Sequence, residues 1–105
     1  MKGDHLGEFE ELALLAVRAL GPDTYGVPVQ RFVERSTGRA ASMGAVYAAL
    51  DRLEDKGFVR SVQSETTPVR GGKRRRLFAI TPAGVRMLVR LRQVRERMWQ
   101  AVGET

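Results

Sequence analysis

The sequence predicts an α+β fold, mainly α: three helices, a β-hairpin and one long closing helix. Apolar residues recur at helical spacing within residues 8–20, 24–37 and 42–57. Two short stretches rich in strand formers, Phe58 to Glu65 and Arg75 to Ile80, flank a loop containing Gly71-Gly72. Thr81-Pro82 then restarts a helix, with Thr as N-cap and Pro at the first helical position.

A chain of 105 residues suits one domain. At this size roughly two thirds of the unfolded surface can be buried, which gives a small, marginal core. There is no Cys, so disulfides, thiolate nucleophiles and cysteine metal sites are excluded, and a reducing cytosol fits. The longest apolar run, Leu12 to Val17, is far too short to span a bilayer, and no signal-peptide pattern opens the sequence. The net charge is +6, unevenly spread. Residues 1–65 hold 8 basic and 10 acidic side chains, whereas residues 66–105 hold 10 basic and 2 acidic. Basic charge gathered at one end marks a surface for a polyanion, either nucleic acid or an anionic membrane.

Taken in order, Met1 to Gly7 reads as a loose arm. Glu8 to Leu20 is the first helix, with Glu8, Glu10 and Glu11 at the positive end of its dipole. Phe9, Leu12, Ala16 and Leu20 form one stripe, widened by Leu15, Ala13 and Val17. So apolar a helix needs cover on more than one side. Gly21-Pro22-Asp23 is a turn. Thr24 is expected to cap a second helix to about Thr37, with Val29, Phe32 and Val33 inward and Pro28 near its first turn. Gly38 ends it, and Arg39-Ala40-Ala41 leads to the third helix.

That third helix is the centre of the prediction. Ser42 is its N-cap, Val46, Ala49, Leu50 and Leu53 its inward stripe, and Gly57 its stop. The outward face carries Gly44, Ala45, Tyr47 and Ala48 near the start and charges only near the end. Small residues with one Tyr suit a helix tip pressed against something bulky, such as a nucleic-acid groove. The plainer alternative is a core helix with a low-charge face. Helix, short connection and capped helix make a helix-turn-helix, and the basic hairpin after it reads as a wing.

The last helix runs from Pro82 to about Val102. Gly84, Leu88, Leu91, Arg95, Met98 and Val102 follow one another in steps of four and three, flanked by Met87, Val94 and Trp99. Arg86, Arg90, Gln93 and Arg97 form the opposite face. At about 1.5 Å per residue the helix is roughly 30 Å long, more than a three-helix core needs. Met98, Trp99 and Val102 therefore call for a second subunit, met about a two-fold axis.

Tyr25-Gly26, the run GAVYAALDRLEDKGFV from Gly44 to Val59 and the run GGKRRRLFAITPAG from Gly71 to Gly84 together resemble the PadR family of bacterial transcription regulators. With the last helix, the resemblance covers nearly the whole chain. Other winged-helix families share the Leu-x-x-Gly ending, but the Gly-x-x-Tyr-x-x-Leu-x-x-Leu-Glu series is more restrictive. The resemblance implies a winged helix-turn-helix over residues 1–81 and a dimerisation helix over 82–105, forming one structural unit. It implies a homodimer built through the first and last helices, here Phe9, Leu12, Leu88, Leu91, Met98, Trp99 and Val102. It also implies a palindromic operator in double-stranded DNA, and repression relieved by an effector. This sequence departs from the family with Leu77-Phe78 in place of an aromatic pair, with Ala45-Val46 in place of Thr-Leu, and with Pro28. A single helix after the wing resembles the short branch, whose drug-responsive members stack planar aromatic compounds on a Trp of this helix. Trp99, with Arg95 nearer the equivalent position, is the matching candidate; plain interface packing is the alternative.

The expected DNA-binding residues are Ser42, Met43 and Gly44 at the helix start, Tyr47 one turn on, and Arg70, Lys73, Arg74 and Arg75 in the wing. Helix N–H groups favour phosphate oxygens. Paired recognition helices enter successive major grooves, and wing cations follow the backbone or the minor groove beside it. Tyr47 can instead pack as a half-buried aromatic against the wing. An enzyme is disfavoured: His5 is alone in the arm, and no phosphate-cradling loop or carboxylate pair in an apolar setting exists. Asp51, Glu54 and Asp55 read as solvated helix charges near Arg52, Lys56 and Arg60. No metal or cofactor is expected. A winged helix used only for protein binding, or a basic helix lying on a membrane, is the remaining alternative; Arg95 on the apolar face argues against the membrane. A bacterial cytoplasmic location at the nucleoid follows.

Overall fold

The computed structural model describes residues 5–64 and 75–103. In chain order the elements are α1 (Glu8–Leu20), α2 (Gly26–Thr37), α3 (Met43–Asp55), β1 (Val59–Gln63), β2 (Arg76–Ile80) and α4 (Pro82–Val102). β1 and β2 pair antiparallel, from Val59 opposite Ile80 to Gln63 opposite Arg76. The architecture is the mainly helical winged helix-turn-helix that the sequence predicts.

Three helices and one face of the hairpin enclose the core. Leu14 and Val17 of α1, Val29 of α2, and Val46, Leu50 and Leu53 of α3 are fully buried, with Phe78 of β2 the largest side chain among them. Burying each such side chain is worth about 1.5–3 kcal/mol. Gly57 has φ 84°, the left-handed conformation that lets α3 stop and turn into β1 without a Cβ penalty. The Thr81 hydroxyl accepts from the Gly84 amide at 3.0 Å and donates to the Gly57 carbonyl at 2.7 Å, so one side chain starts α4 and ties it to the end of α3. Gly84 is pressed on Phe58. A Cβ there would collide with the Phe58 carbonyl oxygen and lie 2.7 Å from Ile80 Cγ1.

Several expectations need correction. Thr24 does not cap α2. Its amide and carbonyl form a β-bridge with Phe78, at 3.1 and 2.7 Å, which buries it and leaves Tyr25 in the N-cap position with no side-chain cap. A cap is a local signal, and here a distant strand outcompetes it. In α1 the deepest stripe is Ala13, Leu14, Ala16 and Val17; Phe9, Leu12 and Leu20 lie half-buried at its edge, and Leu15 is exposed. The arm is anchored at its near end, because Leu6 is buried and the His5 carbonyl accepts from Lys56 Nζ at 2.8 Å. Strand pairing starts at Val59 rather than Phe58, whose amide closes the end of α3 onto Leu53. The expected Gly71-Gly72 turn lies outside the described residues.

Past its midpoint α4 leaves the core. Gly84 and Met87 are buried, Leu88 and Leu91 half-buried, and from Arg92 to Gly103 every residue is exposed. The projecting helix contributes to overall dimensions of 56 × 30 × 20 Å.

Candidate nucleic-acid interface

The start of α3 is built as the sequence predicts. Ser42 Oγ accepts from the Ala45 amide at 3.0 Å, satisfying one orphan donor of the first turn. Ser42, Gly44 and Ala45 are exposed, and no acidic residue lies in that turn. Met43 and Tyr47 are turned partly inward. Both cover Gly26 at the start of α2, where a Cβ would lie 2.5 Å from the Tyr47 hydroxyl and 2.8 Å from Met43 Cε. The Tyr47 ring also stands 6.5 Å from that of Phe78. Tyr47 is thus a half-buried aromatic between α2 and the base of the wing, with its hydroxyl over Gly26.

Beside this tip lies the base of the hairpin. Ser64 and Arg75 extend the ladder beyond β1 and β2: the Ser64 amide donates to the Arg75 carbonyl at 2.7 Å and the Arg75 amide to Ser64 Oγ at 2.9 Å. The exposed Arg75 guanidinium sits 4.1 Å from the centroid of the Tyr25 ring, a cation–π contact that holds it near the start of α2. Arg70, Lys73 and Arg74 lie outside the described residues.

The neighbouring Arg76 behaves differently. Its Nη1 lies 2.7 Å from Asp51 Oδ1, its Nη2 2.6 Å from Glu54 Oε1 and its Nε 3.3 Å from Ser61 Oγ, while the guanidinium covers Phe78 at 4.8 Å. Glu54 also accepts from the Ser61 amide at 3.1 Å and from the Ser61 hydroxyl. Burial pushes the Glu54 carboxyl up, but the bonds from Ser61 and Arg76 outweigh it and hold the group below its ordinary range. Glu54 is therefore a half-buried partner of Arg76 rather than a solvated charge, whereas Asp51 pairs with Arg76 and stays 55% exposed. The signal was available: Arg76 and Phe78 are two apart in a strand and share a face.

A second carboxylate sits where α1 meets α3. Glu10 is buried and takes Lys56 Nζ at 2.8 Å, Arg52 Nε at 2.7 Å and the Gly7 amide at 3.0 Å. Burial raises its pKa; the hydrogen bonds from Lys56, Gly7 and Arg52 overcome this and lower it from 4.5 to about 2.

The residues expected at a subunit contact fall into two groups. Phe9, Leu12, Leu88 and Leu91 pack on the chain's own core and are only partly exposed. Met98, Trp99 and Val102 are 64, 70 and 65% exposed and line, with Arg95, a shallow depression of about 240 Å³. Arg95 itself is bound to Glu11 of α1 through both Nε and Nη2. Among the described residues no group of metal-ligating side chains occurs, and no helix is long and apolar enough to cross a membrane.

Comparison with known proteins agrees with this geometry. Residues 14–90 match the model of the transcriptional regulator PadR-like family. A PadR family transcription regulator from Clostridium difficile superposes with a TM-score of 0.69 at 25% identity, covering 92% of this chain and 100% of that one. A transcriptional regulator from Clostridium thermocellum gives 0.71 at 22% identity, covering 89% and 87%. A PadR family regulator from Eggerthella lenta gives 0.69 at 22% identity, covering 91% and 83%. An uncharacterised 37.1 kDa protein in transposon TN4556 of Streptomyces fradiae is 34% identical over 80 residues, which are 76% of this chain. The chain spans only 21% of that relative's length. The family's members are transcription regulators rather than enzymes, and with most of its length inside the family model this chain belongs to the PadR-like family of transcriptional regulators.

Proposed function

We propose that the protein is a sequence-specific, double-stranded DNA-binding regulator that acts as a homodimer, represses from a palindromic operator and is released by a small molecule. One observation carries the DNA reading. The capped, acid-free and exposed start of α3 covers Gly26 of α2, and the exposed wing arginine Arg75 lies over the neighbouring Tyr25. Ser42 and Gly44 offer a helix N-terminus to phosphates and base edges, Met43 and Tyr47 its rim, and Arg70, Lys73, Arg74 and Arg75 the cations of the flanking wing. A winged helix used only for protein binding has no need of that cationic loop.

Binding to labelled duplex across a salt series tests the reading. With about four cations per subunit on phosphate, log K against log salt falls with a slope of about −7 for a dimer. Lys73→Ala combined with Arg74→Ala weakens binding to all sequences alike, whereas Tyr47→Phe is felt more by the operator than by random duplex. A slope near zero removes the wing from the interface.

The effector reading rests on Trp99, exposed in the depression with Arg95, Met98 and Val102. A planar aromatic compound stacked there quenches Trp99, the single Trp of the chain, and lowers DNA affinity in the same concentration range. Quenching without loss of DNA binding removes the effector role, and no quenching at all leaves Trp99 as an interface residue only.

A further inference from the structure

The DNA-binding reading leaves Arg76 of the wing unused. Arg76 follows Arg75 directly in the sequence, yet all three of its guanidinium nitrogens are engaged inside the molecule. Two go to α3 carboxylates, on Asp51 and Glu54, which stand one helical turn apart. The third goes to Ser61 of β1, and the flat face covers Phe78 of β2. Glu54 in turn grips the Ser61 amide and hydroxyl. One guanidinium and one carboxylate thus bond α3 to both strands of the hairpin, and Phe78 below them is bridged to Thr24 ahead of α2.

We infer that the Asp51–Glu54–Arg76–Ser61 cluster is a clasp that sets the angle of the wing on α3, so that Arg76 and Glu54 are positioning residues for DNA binding without touching DNA. The inference rests on the DNA-binding reading above. Its physical basis is that a two-stranded hairpin is marginal by itself and takes its direction from whatever fixes its base. Burial of Phe78 and Val59 and the backbone bridge to Thr24 fix the base of the hairpin on one side. The charge-assisted bonds to α3 close the other side, and their fork geometry demands one orientation.

The clasp reverses the usual expectation for charge. Removing an acidic residue from a DNA-binding protein relieves repulsion with phosphate and strengthens binding. Glu54→Gln instead weakens it, by about tenfold, because a charge-assisted contact that orients the wing is lost. Asp55→Asn, one residue away and exposed, leaves binding unchanged or tighter and serves as the control. Arg76→Lys keeps the positive charge but not the fork, and also weakens binding. In both Glu54→Gln and Arg76→Lys the salt slope stays within one of the wild-type value, since no phosphate contact is removed.

The experiment measures the full-length protein and these three variants by fluorescence anisotropy. The probes are the duplex immediately upstream of its own gene and a random-sequence duplex, each over a salt series. Amide hydrogen exchange on the same samples is read at Val59 to Gln63 and Arg76 to Ile80. The clasp requires faster hairpin exchange in Glu54→Gln and Arg76→Lys with Leu14 and Val17 unchanged. Hairpin exchange equal to wild type overturns it, whether or not DNA binds. So does Glu54→Gln binding either duplex as tightly as wild type. Wild-type protein that binds neither duplex defeats the DNA reading instead, and the exchange result still judges the clasp.

Discussion

Glu10 is the residue on which the stability of the acidic half turns. Its carboxylate is nearly out of water yet remains charged, because Lys56, Arg52 and the Gly7 amide each donate to it. The drop from 4.5 to about 2 corresponds to stabilisation on the order of 3 kcal/mol. Since the folded value lies below the unfolded one, that stabilisation is fully present above pH 4.5 and is lost as pH falls towards 2. Glu10→Gln should therefore lower stability at pH 7 by about 2 kcal/mol, or roughly 10 °C in Tm. The gap to wild type should close as both are melted at steps from pH 5 to pH 2.5. A gap independent of pH would show that Gln costs packing rather than charge. Nothing in the local sequence marked this role. Glu10 reads as one of three acidic residues at a helix start, and its partners lie 42 and 46 residues further on. Glu54 and Arg76 lie 22 residues apart, and only the strand face that Arg76 shares with Phe78 hinted at their meeting. By contrast, Ser42 and Thr81 were legible as caps because a cap bonds to a residue three positions away.

Among the elements, α1, α3 and α4 keep both ends that their sequence signals predict, and α2 keeps its end at Thr37; the start of α2 and the inner face of α1 depart. The difference is physical. α3 and α4 each open on a hydroxyl residue whose bond to the third amide is local. The start of α2 is decided by a strand, through the bridge from Thr24 to Phe78. The face of α1 is decided by which neighbours arrive, since apolar residues surround that helix and periodicity alone cannot choose the inner side. The tip of α3 is also where stability and function can be separated. Ser42→Ala removes the cap and costs about 1 kcal/mol. Ser42→Asp restores the cap, since Asp is as good a capping residue, but places a negative charge where phosphate is proposed to lie. Ser42→Asp should melt like wild type and bind duplex DNA at least tenfold more weakly, an amount set by like-charge repulsion at a partly desolvated site. Thermal melts beside anisotropy titrations check both halves. If Ser42→Asp bound DNA as well as wild type, the start of α3 would not face the phosphates.

At the scale of the whole molecule, the far half of α4 is the feature a single chain does not explain. From Arg92 onward no side chain of this helix reaches the core, yet Val94, Met98, Trp99 and Val102 lie along it. A long helix with an uncovered apolar stripe is poorly stable in water by itself, because most helical stability comes from packing that stripe. Arg95 fixes the helix to α1 through Glu11, so the stripe is held out in one direction rather than free to fold back. In the proposed homodimer a second copy, meeting the first about a two-fold axis, would cover both stripes with the same residues. The pairing also bears on DNA, because two α3 tips can engage successive grooves only when their separation is fixed. Met98→Lys with Val102→Glu should therefore yield a monomer by analytical ultracentrifugation at micromolar concentration, with α1 to α3 still folded by circular dichroism. Its salt slope should fall to about half, near −3.5, because only one subunit's cations remain on the duplex. Wild-type Tm should rise with protein concentration while that of the variant should not, since only association makes stability depend on concentration. A variant that stays dimeric would move the contact to α1, where Leu15 is also exposed. A monomeric variant with the full slope of −7 would mean that one chain already holds every phosphate contact, leaving the pairing without a part in affinity.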